Sequence, residues 1–272
     1  MLHKKIELHE NGSCGAFLTT YFIESNSEIK DRKRPVVIIC PGGAYMSISC
    51  REGEPIALRF LAEGYHAAVL NYSIYPSATY PTALLELGKA IKMLRENAKE
   101  WLIDTNKIIV VGFSAGGHLA ASYSCFWSGD VANMLEYDAE ILRPNGLILG
   151  YPVITSGKYA SRYSFANLLG EKYDDLIGKM SLENQVNDNN PPTFIWHTET
   201  DEAVPVENSK LFTKALENVG ILVELHLYPE GKHGLALANE VTALDDSQIV
   251  PSCQDWFEKA IAWMKRIIIN ET

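Results

Sequence analysis

A serine at position 114 stands within the turn Gly-Phe-Ser-Ala-Gly of residues 112–116. The apolar run 108–111 precedes this turn, and the helix-like stretch 118–121 follows it. That order predicts a strand, a sharp bend and a helix, with the serine hydroxyl raised clear of the backbone. Gly112 and Gly116 suit the bend, because side chains there would collide with neighbouring strand and helix atoms. Ser114 is therefore a candidate nucleophile for attack on a carbonyl carbon.

A serine hydroxyl needs a base to accept its proton. His233 is the candidate base, because it lies between Gly231 and Gly234 after the last predicted strand, where a tight loop can carry its ring over the sheet edge. His118 follows Ser114 by four residues on the predicted helix, so we expect it to support or pack the site instead. His197 lies inside a predicted strand, and we expect it to be packed.

The base in turn needs an acid to orient it. Asp201 follows the penultimate predicted strand and precedes a predicted helix that begins near Pro205. Glu199 and Glu202 lie in the same loop and compete for this role. The shorter aspartate side chain suits a fixed bond to an imidazole better, so Asp201 is the candidate acid.

A second loop of small residues, Pro41-Gly42-Gly43-Ala44, follows another predicted central strand. Small residues let backbone N–H groups face a cleft, where they can stabilise an oxyanion. We expect N–H groups of Gly43 and Ala44 to do so together with that of Ala115, at the start of the helix after the serine. A plain Pro-Gly turn is the alternative interpretation of the same residues.

The elements that must position these loops alternate along the chain. Residues 5–10 and 15–24 predict an antiparallel ribbon with a turn at Asn11-Gly12. From residue 35 onward, apolar strands alternate with helices, and Ser252 is the predicted N-cap of the last helix, 252–269. The pattern predicts an α/β fold, with a mostly parallel sheet of about eight strands and helices on both faces. Chemistry in such sheets lies beyond the carboxyl ends of the strands, where the four loops converge.

Composition limits the classes of function. The 272 residues suit one α/β domain, 1–272, with excursions at about 128–145 and 153–190 near the active site. A formal charge of −10 disfavours nucleic acid and anionic membranes as partners. Five widely spaced cysteines without a C-x-x-C pair predict no metal site, and no cofactor is expected. The N-terminal residues lack an apolar leader and no run reaches about 18 apolar residues, so we expect a cytoplasmic protein.

Taken together, the quoted motifs resemble the α/β-hydrolase superfamily, and within it the acetylxylan-esterase-like and hormone-sensitive-lipase-related esterases. The resemblance spans residues 35–240 and rests on segments 41–45, 112–118, 150–153, 201–205 and 231–234. The lipase pattern has a histidine where Pro41 stands and a third glycine where Ala44 stands. These departures favour the acetylxylan-esterase-like side.

The resemblance implies hydrolysis of short-chain carboxylic esters, including acetyl groups on sugars, with triad roles for Ser114, Asp201 and His233. The expected partner is a small ester, such as an acetylated saccharide, with Tyr45 and Tyr151 as candidate residues for stacking on sugar rings. Packing into the wall of the site is the alternative role of these aromatic residues. A prolyl-oligopeptidase-like peptidase and a non-catalytic binding protein of the same fold are the alternatives. The sequence does not determine the oligomeric state, and a homo-oligomer is compatible with it.

Overall fold

One continuous β-sheet organises the chain. The computed structural model describes residues 1–8, 15–28 and 31–269, so the predicted Asn11-Gly12 turn lies outside them. Within these residues the sheet has eight strands, which are β1 Lys5–Glu7, β2 Phe17–Tyr21, β3 Arg34–Cys40, β4 His66–Asn71, β5 Ile103–Phe113, β6 Gly146–Gly150, β7 Thr193–Thr198 and β8 Val223–Tyr228.

The strand order across the sheet is β1-β2-β4-β3-β5-β6-β7-β8. β1 pairs antiparallel with β2, and β2 pairs antiparallel with β4. All further pairs, from β4 through β3 to β8, are parallel. The structure thus confirms the predicted α/β-hydrolase fold, in which a mostly parallel sheet carries an antiparallel ribbon at its N-terminal side.

Helices cover both faces of the sheet. The α-helices of the described residues are α1 Glu54–Ala62, α2 Thr82–Glu96, α3 Ser114–Phe126, α4 Ala132–Leu135, α5 Ala139–Leu142, α6 Arg162–Leu169, α7 Tyr173–Leu176, α8 Glu207–Asn218 and α9 Trp256–Met264. Along β3, Val36 and Ile38 face one hydrophobic core and Val37 and Ile39 face the other. Burial on both faces explains why the central strands are continuously apolar rather than alternating with polar residues.

None of the described helices is both long and apolar enough to cross a bilayer.

The last helix begins later than predicted. A separate 3-10 turn, Pro251–Cys253, precedes it, and Asp255 rather than Ser252 occupies the position before its first residue. The reason is tertiary packing, because Cys253 is fully buried and its thiol lies 3.5 Å from the carbonyl oxygen of Glu230. The prediction of Ser252 as N-cap is wrong for this reason.

The two predicted excursions lie in different places. Segment 128–145 carries the short helices α4 and α5 and packs on α2, where Arg95 donates to the carbonyl oxygen of Ile141. Segment 153–190 carries α6 and α7 and reaches the small-residue loop after β3, where the Asn167 amide donates to the carbonyl oxygen of Ala44. The second excursion therefore supports the loops at the carboxyl end of the sheet.

Candidate active site

Ser114 occupies a strained bend between β5 and α3. Its φ is +53°, in the left-handed region that side chains seldom adopt. A Cβ on Gly112 would lie 2.4 Å from the carbonyl oxygen of Gly116, and one on Gly116 would lie 2.1 Å from that of Cys40. No side chain fits at either position, which is why the bend needs glycine on both sides. The serine is 9% exposed and lies at the carboxyl end of β5.

The loop after β8 brings His233 to this serine. The hydroxyl of Ser114 donates to Nε2 of His233 across 2.7 Å, although the two residues are 119 positions apart. Gly231 and Gly234, with φ of +142° and +77°, form the turn that carries the imidazole over the sheet edge. The ring of Tyr151 packs edge-on against the imidazole, with 5.0 Å between centroids.

Asp201 completes a line of hydrogen bonds. Nδ1–H of His233 donates to its Oδ2 across 2.6 Å, and the N–H groups of Ala203 and Val204 donate to its Oδ1 across 3.0 and 2.9 Å. Burial alone would raise the pKa of this carboxyl, but hydrogen bonds from His197 and His233 and the charge of His233 outweigh burial and lower it well below the usual range. The carboxylate is therefore fixed and ionised.

A second imidazole, that of His197, lies against the same carboxylate. Its Nε2–H donates to the carbonyl oxygen of Val204 across 2.9 Å and lies 3.3 Å from Oδ2 of Asp201. The hydroxyl of Ser209 donates to its Nδ1 across 2.8 Å. His197 is packed inside β7, as expected, but its contact with Asp201 was not predicted. The only signal in the sequence was its spacing of four residues from the aspartate.

The loop after β3 is strained over three successive residues. Gly43, Ala44 and Tyr45 have φ of +128°, +55° and +57°. The N–H of Gly42 donates to Oε2 of Glu52 across 2.7 Å, so it already has a hydrogen-bond partner within the protein. That bond leaves Gly43 and Ala44 as the residues of the loop whose N–H groups suit the predicted oxyanion role.

Side chains from other elements hold this loop. The hydroxyl of Tyr45 donates to Nδ1 of His118 across 2.9 Å, and Nε2–H of His118 lies 3.3 Å from the carbonyl oxygen of Met180. Burial lowers the pKa of His118 to about 4, although its contact with Met180 opposes that shift. His118 is therefore a neutral support of the loop, consistent with the supporting role expected from its place on α3.

The two tyrosines predicted to contact substrate are both buried. Tyr45 is 3% exposed and Tyr151 is 1% exposed. The hydroxyl of Tyr45 is engaged with His118, and that of Tyr151 donates to Oε1 of Glu52 across 2.7 Å. Neither ring offers a face for a sugar, because each is buried against other aromatic rings of the protein. Their positions in the sequence, after β3 and β6, could not give the orientation of their rings.

Comparison with known proteins agrees with this architecture. A family model described as BD-FAE matches residues 23–216, which include the strained loop and Ser114. The chain belongs to the BD-FAE family. A second model, that of the dienelactone hydrolase family, matches residues 178–268, which include Asp201 and His233.

Two curated relatives of this BD-FAE member are of similar sequence. Endo-1,4-beta-xylanase B of Butyrivibrio fibrisolvens is 40% identical over 214 residues, which cover 77% of this chain and 34% of the relative. An acetylxylan esterase of Xylanibacter ruminicola is 35% identical over 206 residues, which cover 73% of this chain and 40% of the relative. The chain thus spans well under half the length of either of these curated relatives.

Solved structures resemble this BD-FAE chain over nearly its full length. An acetyl ester-xyloside bifunctional hydrolase from Caldicellulosiruptor lactoaceticus is 36% identical, with a TM-score of 0.84 over 97% of this chain and 96% of that one. The carboxylesterase Cest-2923 from Lactobacillus plantarum is 30% identical, with a TM-score of 0.85 over 98% of both chains.

Proposed function

We propose that the protein hydrolyses short-chain carboxylic esters through Ser114 as nucleophile, His233 as general base and Asp201 as the acid that orients the base. The observation that carries this proposal is the unbroken line of hydrogen bonds from the Ser114 hydroxyl through both nitrogens of His233 to the buried Asp201 carboxylate. An alcohol, an imidazole and a carboxylate in this order constitute an acyl-transfer site.

The reaction proceeds in two halves. In the first, His233 takes the proton of Ser114 as the serine oxygen attacks the ester carbonyl, and the resulting imidazolium is stabilised by Asp201. His233 then gives its proton to the departing alkoxide, which leaves as the alcohol, and the acyl group remains on the serine. In the second half, His233 takes a proton from the water that attacks the acyl-enzyme, and it then gives that proton to the oxygen of Ser114 as the serine–acyl bond breaks and the carboxylic acid leaves.

The tetrahedral intermediate of each half carries a negative oxygen. We assign its stabilisation to the N–H groups of Gly43, Ala44 and Ala115. Ala115 is the second residue of α3, where backbone N–H groups have no partner within the helix. Gly42 is excluded from this group, because its N–H is bonded to Glu52.

We further propose that the esters are acetyl groups on small saccharides. Two relatives support this proposal, because their names refer to acetyl esters of xylan or of a xyloside. They are an acetylxylan esterase and an acetyl ester-xyloside bifunctional hydrolase. The partner of the site is accordingly a small molecule.

A substrate panel tests this function. We expect turnover of p-nitrophenyl acetate and of acetylated xylo-oligosaccharides, a decline with longer acyl chains, and no cleavage of an aminoacyl anilide. Ser114→Ala should lose turnover while retaining the wild-type melting temperature. Preferential cleavage of the anilide would identify a peptidase, and binding of acetylated saccharides without turnover would identify a binding protein. Either result would overturn the proposed esterase.

A further inference from the structure

A buried glutamate, Glu52, lies beside the site and takes no part in the mechanism above. It is 3% exposed and belongs to the 3-10 turn Cys50–Glu52. A Cβ built on Gly42 would lie 2.8 Å from Oε2 of Glu52 and 2.9 Å from Cβ of Ser114, so the carboxylate and the serine flank the same glycine. A buried carboxylate is costly unless it is hydrogen-bonded, and its partners therefore indicate its role.

The partners of Glu52 belong to two different parts of the site. Oε2 accepts from the N–H of Gly42, in the strained loop, and Oε1 accepts from the hydroxyl of Tyr151. The Tyr151 oxygen in turn accepts from the N–H of Ala236 across 2.9 Å, three residues after His233. One chain of hydrogen bonds thus runs from the strained loop to the histidine loop.

The same turn makes a second connection to the segment that follows His233. Arg51 donates through Nη1 to the carbonyl oxygen of Thr242 across 2.7 Å and to Oε1 of Gln248 across 3.1 Å. The Cys50–Glu52 turn therefore contacts the strained loop on one side and the chain after the histidine on the other.

The direction of the donors explains why a carboxylate occupies this position. Gly42 N–H and Tyr151 O–H donate to Glu52, Ala236 N–H donates to the Tyr151 oxygen, and a carboxylate accepts without donating. A glutamine at position 52 would direct its NH₂ group at either the Gly42 N–H or the Tyr151 O–H, and both of these groups are donors in this network. The network as built needs the acceptor-only group.

We propose that Glu52 and Tyr151 are positioning residues that fix the N–H groups of the strained loop relative to the imidazole of His233. This inference rests on the proposed function. Three successive residues of positive φ persist only where their surroundings hold them, and Glu52 holds the residue immediately before them. Tyr151 also packs edge-on against the imidazole, so its displacement reaches the base directly.

Kinetics of Glu52→Gln and Tyr151→Phe test the proposal. Misplacement of reacting groups by about 1 Å costs roughly 100-fold in rate, so we expect kcat for p-nitrophenyl acetate to fall about 10- to 100-fold, with KM within about threefold of wild type. The inhibition constant of a trifluoromethyl ketone, whose adduct places an oxyanion in the same position, should rise in parallel with the loss of kcat/KM. The double variant should be little worse than either single one, because both substitutions break one chain.

Tyr123→Phe is the matched control. Tyr123 on α3 is also fully buried, and its hydroxyl donates to the carbonyl oxygen of Leu142 on α5, so the bond joins two helices and involves none of the triad residues. We expect it to lower the melting temperature as Tyr151→Phe does but to leave kcat and inhibitor affinity unchanged. If Tyr151→Phe and Glu52→Gln lose only stability, or if their effects are fully additive, the positioning role is refuted.

The outcomes separate this inference from the proposed function. Loss of turnover in Ser114→Ala together with full turnover in Tyr151→Phe refutes only the positioning role. Turnover that survives Ser114→Ala refutes the proposed function itself. Should Glu52→Gln fail to fold, Tyr151→Phe with the inhibitor measurement decides alone, because that variant keeps the carboxylate.

Discussion

At the scale of single residues, the carboxylate of Asp201 has two imidazoles and two backbone N–H groups around it. Each donor favours the charged form, and together they outweigh the burial that opposes it. His197 contributes from a strand and His233 from a loop, so the carboxylate lies between a rigid neighbour and the proposed base. This arrangement fixes the tautomer of His233 that leaves Nε2 open to accept the serine proton.

Asp201→Asn tests that arrangement. An asparagine amide cannot stabilise the imidazolium, and its NH₂ group favours the wrong tautomer of His233, so we expect kcat to fall by about 10³- to 10⁴-fold with little change in KM. Steady-state kinetics with p-nitrophenyl acetate measure the change. Glu199→Gln and Glu202→Gln are the controls, because both side chains are exposed in the same loop. A comparable loss in either control would move the role of the acid away from Asp201.

Local sequence identifies some residues of the site but not the residues that support them. Ser114, Asp201 and His233 could be selected because each follows a strand and sits in a turn of recognisable chemistry. The burial of Tyr45 and Tyr151 could not be predicted, because the direction of an aromatic side chain depends on distant partners such as His118 and Glu52. No local pattern marks Glu52 either, since its partners lie 10 and 99 residues away.

At the scale of elements, the excursion 153–190 supports the strained loop. The Asn167 amide on α6 donates to the carbonyl oxygen of Ala44 across 2.9 Å, and the carbonyl of the next residue, Leu168, accepts from the N–H of Tyr80. One helix therefore holds two loops at the carboxyl end of the sheet. The sequence predicted an excursion here, but not which loops it holds.

Asn167→Ala tests the role of α6. Loss of the bond to Ala44 removes about 1 kcal/mol from the strained loop, so we expect kcat/KM to fall between about twofold and tenfold, mainly in kcat. Tyr163→Ala, on an exposed position of the same helix, should leave both constants unchanged. Equal losses in the two variants would show that the helix matters only as a whole, and no loss in Asn167→Ala would show that it does not hold the loop.

At the scale of the whole molecule, two neutral histidines are buried in the protein interior. Burial lowers the pKa of both His66 and His118 to about 4, whereas an unfolded chain has an ordinary histidine pKa near 6.5. As pH falls below about 6.5, these two histidines bind protons in the unfolded chain but remain neutral in the folded protein. Stability must therefore decrease from about pH 6.5 down to about pH 4.

Urea unfolding at pH 7 and pH 5 measures this dependence. Between these values each histidine should remove about 2 kcal/mol of unfolding free energy. His118→Gln keeps an acceptor for the Tyr45 hydroxyl without a titrating group, so its loss of stability between the two pH values should be smaller by that amount. Identical pH dependence in wild type and variant would show that His118 titrates normally in the fold.

The overall architecture was the most predictable feature of the molecule. Strand periodicity, the glycines at the serine bend and the regular alternation of strand and helix each follow from local sequence. The start of α9 was not predictable, because the packing of Cys253 draws residues 251–255 away from the helix that local preference favours. Local rules thus specified the elements, while contacts between distant residues specified their ends and supports.

Covalent labelling with a fluorophosphonate tests the central proposal most directly, because the probe reacts with a serine only when a base has activated it. Peptide mapping after labelling should find one adduct per chain, on Ser114, with no adduct in Ser114→Ala and a much slower reaction in His233→Ala. An adduct on another residue, or undiminished labelling of the Ser114→Ala protein, would contradict the account.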